Sequence, residues 1–319
     1  MFCSTIIPTV GRPSLYQAVA SVLDQQSPND ADFEVIVVND SGKTLPFAYW
    51  QSSERVTLVD TNRHERSVAR NTGASIARGK YLHFLDDDDW MAPNALQSFW
   101  DLARNTDAGW LYGTSQLVDR QHTALIELHH KLDGNVFLQA MAGEWIPLQA
   151  SFIQSQLFFA IGGFNPLLSG PEDNDLLRRA ALVTDFAETS DRVAFVVMGE
   201  VGSTTDYDSH PLASRWAREK ILDSPHALSR LRQGATSSYW HGRLSRIYLT
   251  SAFWNLQNRR PSAAFSRALT SAGTLFEAGS SLLSGAYWSA LTKPYQSETF
   301  ARGIEAAQGQ SASSVKQIL

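Results

Sequence analysis

Only one cysteine, Cys3, occurs in the 319 residues, which excludes an internal disulfide and any cysteine-built metal centre. Lying in the first apolar run, it reads as a small buried residue entering a strand. Long apolar runs are missing too: nothing approaches the ~18 uninterrupted apolar residues that a spanning helix needs. The N-terminus, Met1-Phe2-Cys3-Ser4-Thr5-Ile6-Ile7-Pro8, has neither the basic start nor the apolar core of a signal peptide. These absences lead to the expectation of a soluble, cytoplasmic chain. Basic charge is not in excess either, with 27 lysines and arginines against 32 acidic residues and a net charge of -5. Such a chain has no general attraction for polyanions, so nucleic acid is not an expected partner. At 43% hydrophobic and 18% charged residues, the composition is that of a globular protein able to bury a substantial core.

The first hundred residues alternate short β-branched runs with helical patterns, the mark of βαβ units and a mainly parallel sheet. Strands are expected at Ser4 to Ile7, Phe33 to Val38, Val56 to Val59 and Tyr81 to Leu85. Between the first two, Leu15, Ala18, Val19, Val22 and Leu23 line one face of a helix that Pro13 can open. A second helix is expected from Ser67 to about Arg78, stopped by Gly79, and a third after Pro93. Further on, strands are read at Trp110 to Thr114, Gln116 to Asp119, Ala150 to Ile153 and Val193 to Met198. A helix should begin at Glu172 and Asp173, whose charges suit its positive end. Beyond Trp216 the chain is rich in Ala, Ser, Leu and Arg and reads as helices divided by Pro225 and Pro261. Tyr239, Trp240, Tyr248, Phe253, Trp254, Phe265 and Phe276 are its expected packing residues, with contact to a membrane surface as the alternative.

The strongest chemical signal is Asp86-Asp87-Asp88-Asp89, placed where a buried parallel strand ends. Four adjacent carboxylates repel one another unless water or a cation relieves them, and a divalent cation with oxygen ligands is the natural relief. Ligands of open α/β sheets gather beyond the carboxyl ends of the strands, where this cluster falls.

Four segments occur in order: Thr5 to Pro13 (Thr-Ile-Ile-Pro-Thr-Val-Gly-Arg-Pro), Val37-Val38-Asn39-Asp40-Ser41-Gly42, Arg66 to Gly73 (Arg-Ser-Val-Ala-Arg-Asn-Thr-Gly) and the aspartate tetrad. Gly162-Gly163-Phe164-Asn165 and Glu172-Asp173-Asn174-Asp175-Leu176 with Arg178 follow. The series, spanning roughly residues 4 to 180, resembles the inverting glycosyltransferase family 2. The resemblance implies the GT-A fold: an α/β, Rossmann-like sheet flanked by helices, with a smaller acceptor-side sheet and here a C-terminal helical appendage. Residues 1–95 would form the nucleotide-sugar half, 96–215 the acceptor half and 216–319 the helical region.

Carried over residue by residue, the resemblance places Pro8, Thr9 and Arg12 along the nucleotide and makes Asp40 the base-recognising aspartate. A carboxylate there can accept the N–H of uracil or guanine. Arg66, Arg70 and Asn71 would flank the nucleotide, where a guanidinium could neutralise diphosphate charge. Asp86, Asp87 and Asp88 would form the Asp-x-Asp motif, with Asp86 toward ribose or metal and Asp88 as direct ligand of Mn²⁺ or Mg²⁺. Asp89 would support them. Asp173 would take the proton from the acceptor hydroxyl, with Glu172 tuning it or binding the acceptor. Trp145 could stack on an acceptor sugar, and His210 lies where some GT-A enzymes bring a histidine to the metal. The adjacent pair His129 and His130 points in different directions in any regular element and is set aside.

The implied reaction moves a sugar from a UDP, GDP or dTDP donor to a saccharide or lipid-linked acceptor with inversion. The chain departs from the family pattern at Val10-Gly11, Asn39 and Asn165, which bears on nucleotide preference and one turn. A sugar-1-phosphate nucleotidyltransferase would need a longer Gly-rich basic loop than Gly11-Arg12-Pro13, and a catalytically inactive binding protein should lack Asp88 or Asp173. A phosphatase with an Asp-x-Asp nucleophile would carry it on the first strand. The helical appendage could attach the chain peripherally to the inner face of a membrane; the oligomeric state is left open.

Overall fold

A computed structural model describes residues 1–27, 31–61, 63–168, 170–198, 211–297 and 299. The β-branched runs form strands β1 (Cys3–Thr9), β2 (Phe33–Asn39) and β3 (Val56–Asp60) as expected, with helix α1 (Leu15–Leu23) between the first two. Helix α1 buries Leu15, Ala18, Val19 and Val22, and burial of a Val or Leu is worth ~1.5–3 kcal/mol each. Helix α2 (Arg66–Ile76) starts where both oxygens of Glu65 accept the backbone N–H groups of Ser67 and Val68. It ends before Gly79, at Ala77, whose backbone is already extended. A Cβ on Gly73 of this helix would come within 2.5 Å of Ile6, so the missing side chain lets α2 lie close against β1.

Strand β4 (Tyr81–Phe84) is followed by the aspartates, a two-residue strand β5 (Trp90–Met91) and helix α3 (Ala95–Ala103). Strand β6 (Trp110–Val118) is one continuous, wholly buried strand where two were expected, because its polar centre, Thr114 and Ser115, is buried as well. Strand β7 (Ala124–Leu128) and helix α4 (Phe137–Ala142) follow, then β8 (Ser151–Gln154), α5 (Ser155–Ala160) and α6 (Glu172–Val183). Strand β9 (Phe186–Val197) begins seven residues earlier than expected and pairs with β6 through register shifts at Gly113 to Ser115.

The nine strands form one sheet in the order β3-β2-β1-β4-β8-β6-β9-β5, with β7 on β6. From β3 to β4 every pairing is parallel; beyond β4 the sheet is mixed. The strands of residues 96–215 are therefore hydrogen-bonded into the same sheet as those of residues 1–95, and no separate smaller sheet is seen among the described residues. This order brings the carboxyl ends of β1, β2 and β4 together, the crevice where such sheets bind ligands.

The C-terminal region is helical: α7 (Pro211–Leu222), α8 (Ala227–Gly234), α9 (Ser238–Gln257), α10 (Pro261–Glu277, with Pro261 in its first turn) and α11 (Gly285–Thr292). It shares the main core, since Leu231, Leu244, Ile247 and Tyr248 pack in one cluster with Leu138, Leu177 and Phe186. Ser245 on α9 accepts hydrogen bonds from Thr274 on α10 (3.0 Å) and Tyr287 on α11 (2.9 Å), fixing the three helices together. Of the aromatics expected to pack, Tyr248 is buried and Trp240 packs against the core. Phe253, Phe265 and Phe276 do not pack: they stand exposed on α9 and α10. Among the described residues, no helix is long and apolar enough to cross a membrane.

Candidate active site

At the end of β4 the four aspartates point to different partners. Asp86 accepts from Arg70 Nη2 (2.6 Å) on one oxygen and from Gln149 Nε2 (3.0 Å) on the other. Asp87 accepts from Thr9 Oγ1 (2.5 Å), at the end of β1, and from Arg12 Nη1 (2.8 Å). The same Arg12 nitrogen reaches Asp88 at 2.9 Å, where the carboxylate is 42% exposed. Asp89 is buried and accepts from the backbone N–H of Val197, so it ties the tetrad to β9.

Two guanidiniums thus face four carboxylates, and the protonation balance shows the excess. Burial opposes the charge on Asp86, but the Arg70 guanidinium overcomes it and holds this carboxyl below its ordinary range. Burial pushes Asp87 up, against Thr9 and Arg12. Partial burial and the Asp86 charge push Asp88 up to about 6 despite Arg12. Burial and the charges of Asp86 and Asp88 push Asp89 further up. A cation beside Asp88 would relieve the surplus.

Arg70 is the joint of the site. Only 4% exposed, it binds Asp86 with one nitrogen and Glu172 Oε1 with the other (3.0 Å), drawing the start of α6 against the tetrad. Arg66, on the exposed turn of α2, stands 3.5 Å from the same Glu172 oxygen. Glu172 is therefore buried against two arginines, and burial raises its pKa against their pull. Among the described residues, Glu172 Oε2, Arg70 Nε and Ser67 Oγ are buried without a hydrogen-bond partner, so the arrangement has polar capacity to spare.

Asp173, next in sequence, is half-buried in the first turn of α6. One of its oxygens accepts from the backbone N–H of Asn174 and the other from the indole Nε1–H of Trp145 (3.1 Å). Trp145 is a neighbour of Asp173 by this bond, a placement that stacking on a sugar alone did not require. The preceding residue, Glu144, is pinned from the C-terminal region by the Tyr295 hydroxyl and by Ser297 Oγ (2.6 Å). Burial opposes its charge, and His130, Ser297 and Tyr295 together hold its carboxyl below the usual range. His129 has a separate partner, Glu127, as expected of side chains pointing apart.

Two of the residues named from the resemblance have their side chains engaged within the protein. Asn71 spends its amide on the backbone of Phe164, accepting from its N–H (3.0 Å) and donating to its carbonyl (2.8 Å). It holds the Gly162-Gly163 turn, whose second glycine has φ +64 and would press a Cβ to 2.8 Å from the Asn71 oxygen. Asp40 is buried at the end of β2, and its carboxylate accepts from Thr61 Oγ1 (2.7 Å) and from the N–H groups of Arg63 and Glu65 (2.6 Å each). Burial opposes its charge and those donors restore it, so Asp40 first of all organises the loop into α2. Pro8 lies beside it, paired in register with Val38. His210 lies outside the described residues.

Gln149 and His83 had no sequence signal. His83 is fully buried; its Nε2–H donates to the Gln149 carbonyl (3.0 Å), which can only accept, and Nδ1 accepts from Thr5 (3.1 Å). That fixes the residue whose amide holds Asp86.

The sequence model described as Glycosyl transferase family 2 matches residues 4–164, half of the chain. The chain belongs to this family. It is 28% identical over 181 residues to an uncharacterized glycosyltransferase of Haemophilus influenzae, covering 54% of this chain and 60% of that one. It is 29% identical over 116 residues to the poly(ribitol-phosphate) beta-N-acetylglucosaminyltransferase TarP of Staphylococcus aureus, covering 34% and 35% respectively. These matches thus span less than two thirds of either relative. Among solved structures, S. aureus TarS in complex with UDP-GlcNAc superposes with a TM-score of 0.60 at 14% identity, covering 85% of this chain and 91% of that one. The fold is accordingly that of a GT-A glycosyltransferase.

Proposed function

We propose that this family 2 chain transfers a sugar from a nucleotide diphosphate to an acceptor hydroxyl, with inversion at the anomeric carbon. The observation that carries the reading is the Arg70 bridge, which holds the start of α6, with Asp173, against the aspartates at the end of β4. Acceptor-side base and donor-side carboxylates thereby line one crevice. A uridine donor is favoured over GDP or dTDP because TarS, similar in fold, was solved with UDP-GlcNAc and with UDP.

Among the described residues no three His, Cys, Asp or Glu side chains form a ready cation cage. The carboxylates nonetheless fit a shared site, since Mg²⁺ is commonly held by one or two carboxylates together with substrate phosphates. Asp88 and Asp86 would hold Mn²⁺ or Mg²⁺, which when bound offsets the charge growing on the leaving diphosphate. Asp173 accepts the acceptor proton while the hydroxyl oxygen bonds to the anomeric carbon. The bond from that carbon to the phosphate oxygen breaks, its electron pair leaving with the nucleotide diphosphate. Trp145 orients Asp173. A single base and direct displacement require no covalent sugar intermediate. In this reading the acceptor is a saccharide or lipid-linked sugar, and the chain attaches peripherally to the inner, cytoplasmic face of a membrane.

The test is thermal shift with UDP, GDP and dTDP, each with and without Mn²⁺, on wild type and Asp88→Ala. A ligand that binds only the folded state raises the midpoint. A Mn²⁺-dependent shift with UDP, absent in Asp88→Ala, is the expected result. No shift with any nucleotide in folded protein sinks the reading in favour of an inactive binding protein.

A further inference from the structure

Helices α7, α9 and α10 meet at a corner where the usual distribution of side chains is reversed. Trp216 on α7 and Trp254 on α9 pack edge to face with ring centroids 4.8 Å apart. Arg260, just before α10, lays its guanidinium 4.8 Å from the centre of the Trp216 ring. On the same three helices Leu212, Phe253, Leu256 and Phe265 are 60–67% exposed. The neighbouring Arg259 is exposed, and among the described residues neither arginine forms an ion pair with a carboxylate. On α10 the buried residues Ala264, Arg267, Ser271 and Thr274 face α9, so Phe265 points from the opposite side of the helix.

Charge is divided along the chain in the same sense. Residues 211–297 contain 11 basic and 3 acidic residues, whereas residues 1–210 contain 14 and 27. We infer that this corner is a membrane-docking surface that inserts its apolar side chains among the headgroups of an anionic bilayer. Protruding aliphatic and aromatic side chains ringed by arginine suit a deformable lipid surface, which needs no groove of matching shape. Anionic headgroups attract Arg259 and Arg260 and repel the acidic sheet half, which sets the orientation as well as the affinity. The inference deepens the peripheral attachment proposed above by naming the surface, and rests on it.

The test is co-sedimentation of the whole chain with vesicles of phosphatidylglycerol and phosphatidylcholine in equal parts, against phosphatidylcholine alone. Binding to the anionic vesicles should be roughly tenfold or more stronger and should weaken with salt. The double variant Phe253→Ser with Phe265→Ser should lose it while keeping the wild-type unfolding midpoint. Arg259→Gln with Arg260→Gln should lower it to near the neutral-vesicle level. No binding of wild type to either vesicle overturns peripheral attachment itself. Wild-type binding that the Phe variant retains overturns the corner alone, as does a dimer in solution that the Phe variant dissociates, since the corner is then an interface between copies. Nucleotide binding measured on the same preparations separates either failure from failure of the transferase reading.

Discussion

The end of the sheet and the C-terminal helices break opposite rules of folding. At the carboxyl end of β4 charged groups are buried: Arg70, Asp87, Asp89 and Glu172 are each less than 5% exposed. On α9 and α10 apolar groups are left in water, with Phe265 at 67% and Phe276 at 89% exposed. Buried charge must be paired, and the crevice pairs it through a few long-range contacts, so the loss of one partner propagates. Exposed apolar surface has no such partner to lose. The two regions should therefore respond very differently to substitution.

The largest effect is expected at Asp173, the proposed base. Asp173→Asn keeps the shape and the Trp145 hydrogen bond but cannot take a proton, so turnover should fall ~10²–10⁴-fold. Nucleotide binding and unfolding midpoint should stay at wild-type values. Trp145→Phe, which removes the indole N–H that Asp173 accepts, should lower kcat less and leave KM for the donor unchanged. Equal loss in the two variants, measured with the same donor and acceptor, would mean that Trp145 touches substrate itself.

Next comes the joint. Arg70→Met fills similar space but leaves Asp86 without its ion-pair partner and Glu172 with Arg66 alone. Breaking one side of a buried pair costs about 3–5 kcal/mol. Urea unfolding should show that loss, and the donor should no longer raise the midpoint. Retained stability would break the contrast between the two regions, because the crevice would then tolerate change as a surface does.

A third effect depends on pH. Burial holds the folded His83 pKa down to about 4, against its hydrogen bond to Gln149, while an unfolded histidine titrates near ~6.5. Between those values the unfolded chain binds the extra proton, so stability falls as pH drops from above the upper value and levels off below the lower one. His83→Gln should flatten this part of the stability curve. Asp88 works in the opposite sense. Its folded pKa, about 6, lies above the unfolded value, so at neutral pH its charge destabilises the fold. Asp88→Asn should stabilise the metal-free protein, by less than about 1 kcal/mol because much of the side chain meets water.

The same contrast explains what could be read without coordinates. Strands β1, β2 and β4 are short runs rich in β-branched and aromatic residues, and helix α1 has a strict apolar face, so local pattern sufficed for them. The motif residues Arg12, Arg70 and the aspartates come together in the structure because they sit at neighbouring strand and helix ends. Strand β7 and helix α4 escaped because, at five and six residues, they are too short to show a periodicity. Gln149 was illegible for a stronger reason: its contact with Asp86 spans 63 residues and leaves no periodicity. The resemblance implies that Asn71 flanks the nucleotide and that Glu172 tunes Asp173 or binds the acceptor; their ties to Phe164 and Arg70 were illegible because a motif conveys residue type but not the direction of a side chain.

The exposed aromatics give the smallest expected effect and the sharpest comparison. A run of Ala, Ser, Leu and Phe predicts a helix but not which face finds a partner, so Tyr248 and Phe265 looked alike in sequence. In the structure Tyr248 is 1% exposed and lies in the main core, whereas Phe265 meets water. Truncating a buried aromatic costs ~3–5 kcal/mol, so Tyr248→Ala should lower stability by about that amount. Phe276→Ser removes as large a ring from a position 89% exposed and should change stability by no more than ~0.5 kcal/mol. Chemical denaturation of the two variants side by side measures this difference. If Phe276→Ser proved as costly as Tyr248→Ala, the outer face of α10 would be covered in the folded protein, and the division between a tightly coupled crevice and an open helical face would fail.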